Sequence, residues 1–212
     1  MSFVRMDPPH DDNVIYAGLN DIFDVWPQRI AGAAPPLEEH ANFMRLDLTR
    51  LTDISSVTRP VLEAHAEAAF VMLHRYHPGP PTLGTWQRSS VTTEVTLVWE
   101  TPSEAMSLTH SNHKDATEEG AYAIAIAIAD ASGFKVIGRT YQGSGADWLM
   151  IPRTGPQDEF FKLEVSGIAE GGTPEGRLMA KMEQGQRGDL DRPGIAVVVR
   201  FQDAQIRSES WR

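Results

Sequence analysis

The sequence predicts an α/β (α+β) fold in which a mixed sheet is flanked by helices. Three observations lead to it. Between Asp115 and Phe201 the chain runs helix, strand, strand, strand, helix, strand. The last of these, "GIAVVVRF", is a continuous apolar run of the kind found in strands covered on both faces. Upstream, "TRPVLEAHAEAAFVMLHRYH" repeats apolar residues at helical spacing ahead of a β-branched segment, "SVTTEVTLVWE".

The elements follow in chain order. Residues 1–40 read as loops, because "DPPHDD", "VWPQ" and "AGAAPPLEEH" interrupt any periodicity with proline and small residues. "NFMRLDL", from Asn42 to Leu48, reads as a strand. The helix that follows is capped by Thr58, with Pro60 suiting its first turn. Leu62, Ala66, Ala69, Phe70, Leu73 and Tyr76 form its apolar face, and "HPGPP" ends it. Ser90 to Glu100 reads as a strand. The stretch "TPSEAMSLTHSN" is the best boundary, and it divides an N-terminal α+β region, residues 1–110, from a core over residues 111–212.

"AYAIAIAIAD" alternates with period two, which nominally suggests a strand. Both alternating sets are apolar, however, so no polar face needs preserving. Alanine favours helix, Asp115 and Thr117 are candidate caps, and Glu118 and Glu119 suit a first turn near the positive end of the helix dipole. A buried helix is therefore expected, stopped at Ser132-Gly133. "FKVIGRTYQ", "ADWLMI" and "FFKLEVS" then read as three strands. In the third, Phe160, Lys162, Glu164 and Ser166 share one face, and Phe161, Leu163 and Val165 the other. "TPEGRLMAKMEQGQ" reads as a helix capped by Thr173, with Leu178 and Met182 four apart on its apolar side.

Composition limits the functional classes. The chain of 212 residues has 19 basic and 29 acidic residues, a net charge of −10, and no cysteine. Disulfides and thiolate metal sites are excluded. Non-specific attraction to nucleic acid is disfavoured, although a local basic groove is compatible with such a sum. The start shows no apolar secretion segment, and the longest apolar run is about half the length of a membrane span. A cytoplasmic protein with no membrane association is expected. "GSGADW" and "EGGTPEG" lack the lysine and spacing of a phosphate-binding loop. His110 and His113 in "HSNH" are three apart, but the segment reads as a loop with no further ligand.

Three carboxylates remain: Glu119, with Glu118 as its competitor, Asp147 and Glu164. Each has an ordinary reading, as a helix-start acid, a turn aspartate, and a carboxylate paired with Arg139 or Arg177. Glu164 is the hardest to explain so, because it lies within an apolar strand, where an unpaired carboxylate is costly. Converging carboxylates repel unless a cation or proton compensates them.

This arrangement resembles the core of the restriction-endonuclease-like superfamily, the PD-(D/E)xK nucleases. "GADWLM" supplies Asp147, "LEVSG" supplies Glu164 and "TEEGAYA" supplies Glu119. "FKLEVSGI" is similar to a recurring form in bacterial proteins of this type. The resemblance covers roughly residues 113–202. It implies a restriction-endonuclease-like core with an N-terminal α+β extension, and a metal-dependent nuclease acting on DNA. Asp147, Glu164 and Glu119 would hold Mg²⁺ or Mn²⁺. The family's lysine, two positions after the second acid, is replaced here by Ser166. Lys162, on the same strand face as Glu164, and Lys181, on the following helix with Gln184 one turn later, are the substitutes. If neither reaches the site, the fold is an inactive relative that binds a protein partner, nucleic acid or a second copy of itself.

Overall fold

One mixed sheet runs through the described part of the molecule, with helices packed against it. The structure is a computed structural model and describes residues 43–156, 158–188 and 190–212. The loops expected over residues 1–40 lie outside these. The elements are β1 (Phe43–Asp47), α1 (Leu51–Ile54), α2 (Arg59–Tyr76), β2 (Thr82–Arg88), β3 (Val91–Val98), α3 (Glu104–Thr109) and α4 (His113–Ala131). They continue with β4 (Phe134–Arg139), β5 (Trp148–Pro152), β6 (Phe161–Ile168), α5 (Pro174–Arg187), β7 (Gly194–Arg200) and β8 (Gln205–Trp211).

The eight strands are ordered β1-β3-β2-β8-β7-β6-β5-β4. β4, β5 and β6 form an antiparallel meander. β7 then lies parallel to β6, a pairing that requires a crossover, and α5 supplies it. β8 returns antiparallel to β7 and joins β2 in parallel on its other edge. The division expected at residue 110 therefore falls inside a continuous sheet: β2 bonds to β8, and α2 packs along α4.

The alanine-isoleucine run is helical, as expected. Its N-cap is Asn112 rather than Asp115 or Thr117; the Asn112 side chain accepts from the Lys114 N–H at 3.1 Å. Every residue from Gly120 to Ala129 is buried, which explains why the sequence keeps no polar face there. Burying Ile124, Ile126 and Ile128 is worth about 2 kcal/mol each. Gly120 sits where a Cβ would come within 3.0 Å of the Ala69 backbone, so a side chain there would force α2 away from α4.

Strand alternation places α4 and α5 on opposite faces. Ile168, Ala196 and Val198 pack with Leu178 of α5, while Gly167, one residue from Ile168, lies against Thr117 of α4. Leu178 is buried and Met182 half-buried against this cluster, matching the expected apolar side of the helix. α1, β2, α3 and β8 were not expected. β2 ("TLGTWQR") and β8 ("QIRSESW") mix polar with apolar residues, and their order comes from partners far along the chain. Trp86 of β2 is buried, for example, and donates to the Ser208 hydroxyl of β8 at 2.8 Å.

Candidate functional site

The site begins where two strands part. β5 pairs with β6 only from Trp148–Met150 against Phe161–Leu163. One step further, the Asp147 N–H still donates to the Leu163 carbonyl at 3.1 Å. The next amide, Val165 N–H, donates instead to Asp147 Oδ2 at 2.8 Å. A carboxylate takes the place of a ladder carbonyl, and the notch opens beside Glu164. Continuing the register sets Asp147 opposite Glu164.

Glu164 is wholly buried. Lys181, from the facing side of α5, donates to Glu164 Oε1 at 2.5 Å and to Gln184 Oε1 at 3.3 Å. Glu164 Oε2 has no hydrogen-bond partner. Burial, and next the Asp147 carboxylate, push Glu164 up to about 7 despite the opposing pull of Lys181. Two carboxylates facing one another in a buried notch favour one proton, or a cation, between them.

Tyr122 of α4 closes the other side of the notch. Its hydroxyl lies 2.9 Å from Glu118 Oε1 and 3.2 Å from Asp147 Oδ1. One hydroxyl proton serves only one of these acceptors at a time. Burial, followed by the charges of Asp147 and Glu118, holds the phenol well above its ordinary value, so it stays protonated as a donor.

The expected residues divide as follows. Asp147, Glu164 and Lys181 come together. Glu119 does not join them: its Oε2 lies 3.8 Å from Nδ1 of His110, and Glu118 is the helix carboxylate that reaches the Asp147 hydrogen-bond network. One residue along a helix is about 100° of rotation, so the two glutamates cannot share a direction. Lys162 is buried and its ammonium donates to the carbonyls of Ser144, Gly185 and Leu190. It ties the turn before β5 to the last turn of α5, where a cation also suits the helix dipole. The partner of Glu164 is Lys181 rather than Arg139 or Arg177. His110 and His113 do not share a ligand position, since His110 lies between Glu67 and Glu119 while His113 contacts Arg75.

Three residues were not anticipated in these roles. Tyr122 stands four residues after Glu118, a helical neighbour spacing that was the available signal. Arg139 lies beside the Tyr122 and Trp148 rings, its guanidinium carbon 4.4 and 4.3 Å from their centroids. His65 of α2 is buried against the same two rings, and neither ring nitrogen has a hydrogen-bond partner. Burial, then Arg139 and His110, lower His65 to about 4.

The notch thus contains two opposed carboxylates, a lysine and a glutamine from α5, and a tyrosine and a glutamate from α4. Among the described residues, no group of three or more His, Asp or Glu side chains is arranged to hold a metal ion. Two opposed carboxylates with one unpartnered oxygen remain a suitable seat for a hard cation that keeps several of its own waters. No protein-family model, curated protein or solved structure matches the chain.

Proposed function

We propose that the protein is a metal-dependent nuclease of the restriction-endonuclease-like type, hydrolysing phosphodiester bonds of DNA. The observation that carries this reading is the opposition of Asp147 and Glu164 at the parting of β5 and β6, with Lys181 Nζ on Glu164 Oε1. The strand order supports it, because an antiparallel meander followed by a helical crossover to a parallel strand is the order of that superfamily's core.

Asp147 and Glu164 would hold Mg²⁺ or Mn²⁺. Such an ion, when bound, neutralises phosphate charge and acidifies a water. The protein groups have separate tasks. The Val165 amide and the Tyr122 hydroxyl orient Asp147. Lys181 takes the place left by Ser166 and supplies positive charge beside Glu164, where negative charge develops on the phosphate. Gln184 steadies the Lys181 ammonium. Incubating supercoiled plasmid with Mn²⁺ tests the reading. The wild type is expected to nick or linearise it, and Asp147→Asn and Glu164→Gln to leave it intact. Equal cutting by both variants would sink the assignment.

Ser166 favours a second reading, a fold of this kind that binds without cutting. On that reading Lys181 is a permanent counter-ion for Glu164. Calorimetric titration with Mn²⁺ separates the two: heat of binding lost in Asp147→Asn supports the nuclease, and no heat from the wild type supports the binding module.

A further inference from the structure

Arg139 stands at the end of β4, directly across the ladder from Trp148, with Asp147 the next residue along the neighbouring strand. Its guanidinium sits in a corner made by the Tyr122 and Trp148 rings, whose planes cross at 80°. Both rings are buried, while Arg139 itself is exposed. Aromatic packing on this scale holds an arginine in place, and the guanidinium also hydrogen-bonds the Tyr122 hydroxyl. Among the described residues, no carboxylate lies within 4.0 Å of it. The nearby acids have other partners: Glu118 and Asp147 share the single Tyr122 hydroxyl proton, Asp147 also accepts from the Val165 amide, and Glu164 pairs with Lys181. The corner therefore presents an oriented cation, with no carboxylate partner among the described residues, beside an acidic notch.

We propose that Arg139 binds a backbone phosphate of the DNA substrate next to the Asp147–Glu164 pair. This rests on the nuclease reading above. A planar guanidinium matches two phosphate oxygens at once, and its fixed position would set the register of the strand entering the notch. Charge makes the contact conditional. Glu118, Asp147 and Glu164 against Lys181 and Arg139 leave the site one charge negative. A divalent ion on the carboxylate pair reverses this to one charge positive. A chain with a net charge of −10 draws little help from its wider surface. Phosphate and divalent ion thus reinforce each other, and the coupling is reciprocal.

The test is fluorescence anisotropy with a fluorescein-labelled DNA duplex in Ca²⁺, which allows binding to be read without cleavage. Wild type, Arg139→Gln, Arg139→Lys and Asp147→Asn are compared across a salt series. Arg139→Gln is expected to weaken binding about 10-fold and to reduce the salt slope by about one. Arg139→Lys keeps the charge and loses the fork, so it should keep the slope with a lower affinity; it carries the test if Arg139→Gln does not fold. Asp147→Asn should lose the Ca²⁺-dependent part of the affinity. Wild-type affinity and slope in both Arg139 variants would overturn the phosphate contact while leaving the nuclease reading standing. No Ca²⁺-dependent DNA binding by the wild type would overturn both.

Discussion

Lys181 Nζ lies 2.5 Å from Glu164 Oε1, while Glu164 Oε2 is buried without a hydrogen-bond partner. Half of this carboxylate is neutralised by the protein and half is left for something else. The Asp147 side chain faces it from a strand that has given up a ladder bond to make room. Such a pair is poorly suited to a stabilising role, because a buried ion pair barely offsets its desolvation. A proton shared with Asp147, or the cation proposed above, would compensate it.

Removing the lysine should expose this imbalance. Lys181→Met leaves Glu164 buried with no counter-charge, and the expected loss of stability at pH 8 is about 3 kcal/mol. At pH 5 Glu164 is protonated and the loss should shrink. Adding Glu164→Gln to the lysine variant should restore most of the pH 8 stability. Urea denaturation of the two single variants and the double variant checks this; equal losses at both pH values would show that the pair carries no buried charge.

Glu164 and His65 should conceal one another in the pH dependence of stability. Glu164 titrates at about 7 when folded, above its ordinary 4.5, so its stabilisation is present at low pH and lost as pH rises toward 7. His65 titrates at about 4 when folded, below its ordinary 6.5, so stability is lost as pH falls from 6.5 toward 4. Between pH 4.5 and 6.5 the two slopes oppose, each amounting to about 3 kcal/mol. The wild type should change little from this pair across that window. Glu164→Gln should become acid-labile there, and His65→Phe should lose stability as pH rises. Denaturation midpoints measured at several pH values in EDTA decide it, and unchanged profiles in both variants would refute the coupling. At pH 8, Mn²⁺ should raise the wild-type midpoint and leave that of Glu164→Gln unmoved.

The Tyr122 hydroxyl lies between Glu118 and Asp147, so its removal tests whether it orients Asp147, the carboxylate proposed to hold the metal. Tyr122→Phe should lower Mn²⁺ affinity by about 10-fold or more. The stability cost of one hydrogen bond is only about 1 kcal/mol. Calorimetric titration at matched folded fraction separates the two effects. Unchanged Mn²⁺ affinity would reduce Tyr122 to a packing residue.

How much of this was legible depended on where each signal lies. Strands β3 to β7 and helices α2, α4 and α5 announce themselves through local runs and caps. β8 does not: its alternation is polar, and its place is secured by β2 and β7. Asp147 and Glu164 were legible because acids are unusual before and within apolar strands. Glu118 and Glu119 were not separable, since their difference is helix phase. Arg139, Trp148 and Tyr122 meet only after β4, β5 and α4 are assembled, and no spacing encodes that corner.

The two lysines show the same limit and supply the last prediction. Period-two alternation puts Lys162 on the face of Glu164, yet alternation says nothing about where a long side chain ends. Its ammonium reaches three carbonyls and fastens the turn before β5 to the C-terminal end of α5 and the loop after it. Lys162→Met would leave these buried acceptors without that donor, at about 1–3 kcal/mol apiece where no water replaces it. A loss of at least 3 kcal/mol in stability is expected, with Mn²⁺ affinity retained under conditions where the variant is folded. Lys181→Met should do the converse, with stability little changed at pH 5 and plasmid cleavage abolished at pH 8, where Glu164 is ionised. Thermal melts and cleavage assays on the two variants make the comparison. If Lys162→Met stayed stable and lost cleavage, Lys162 rather than Lys181 would be the functional cation, and the carbonyl cage around it would have to open when substrate binds.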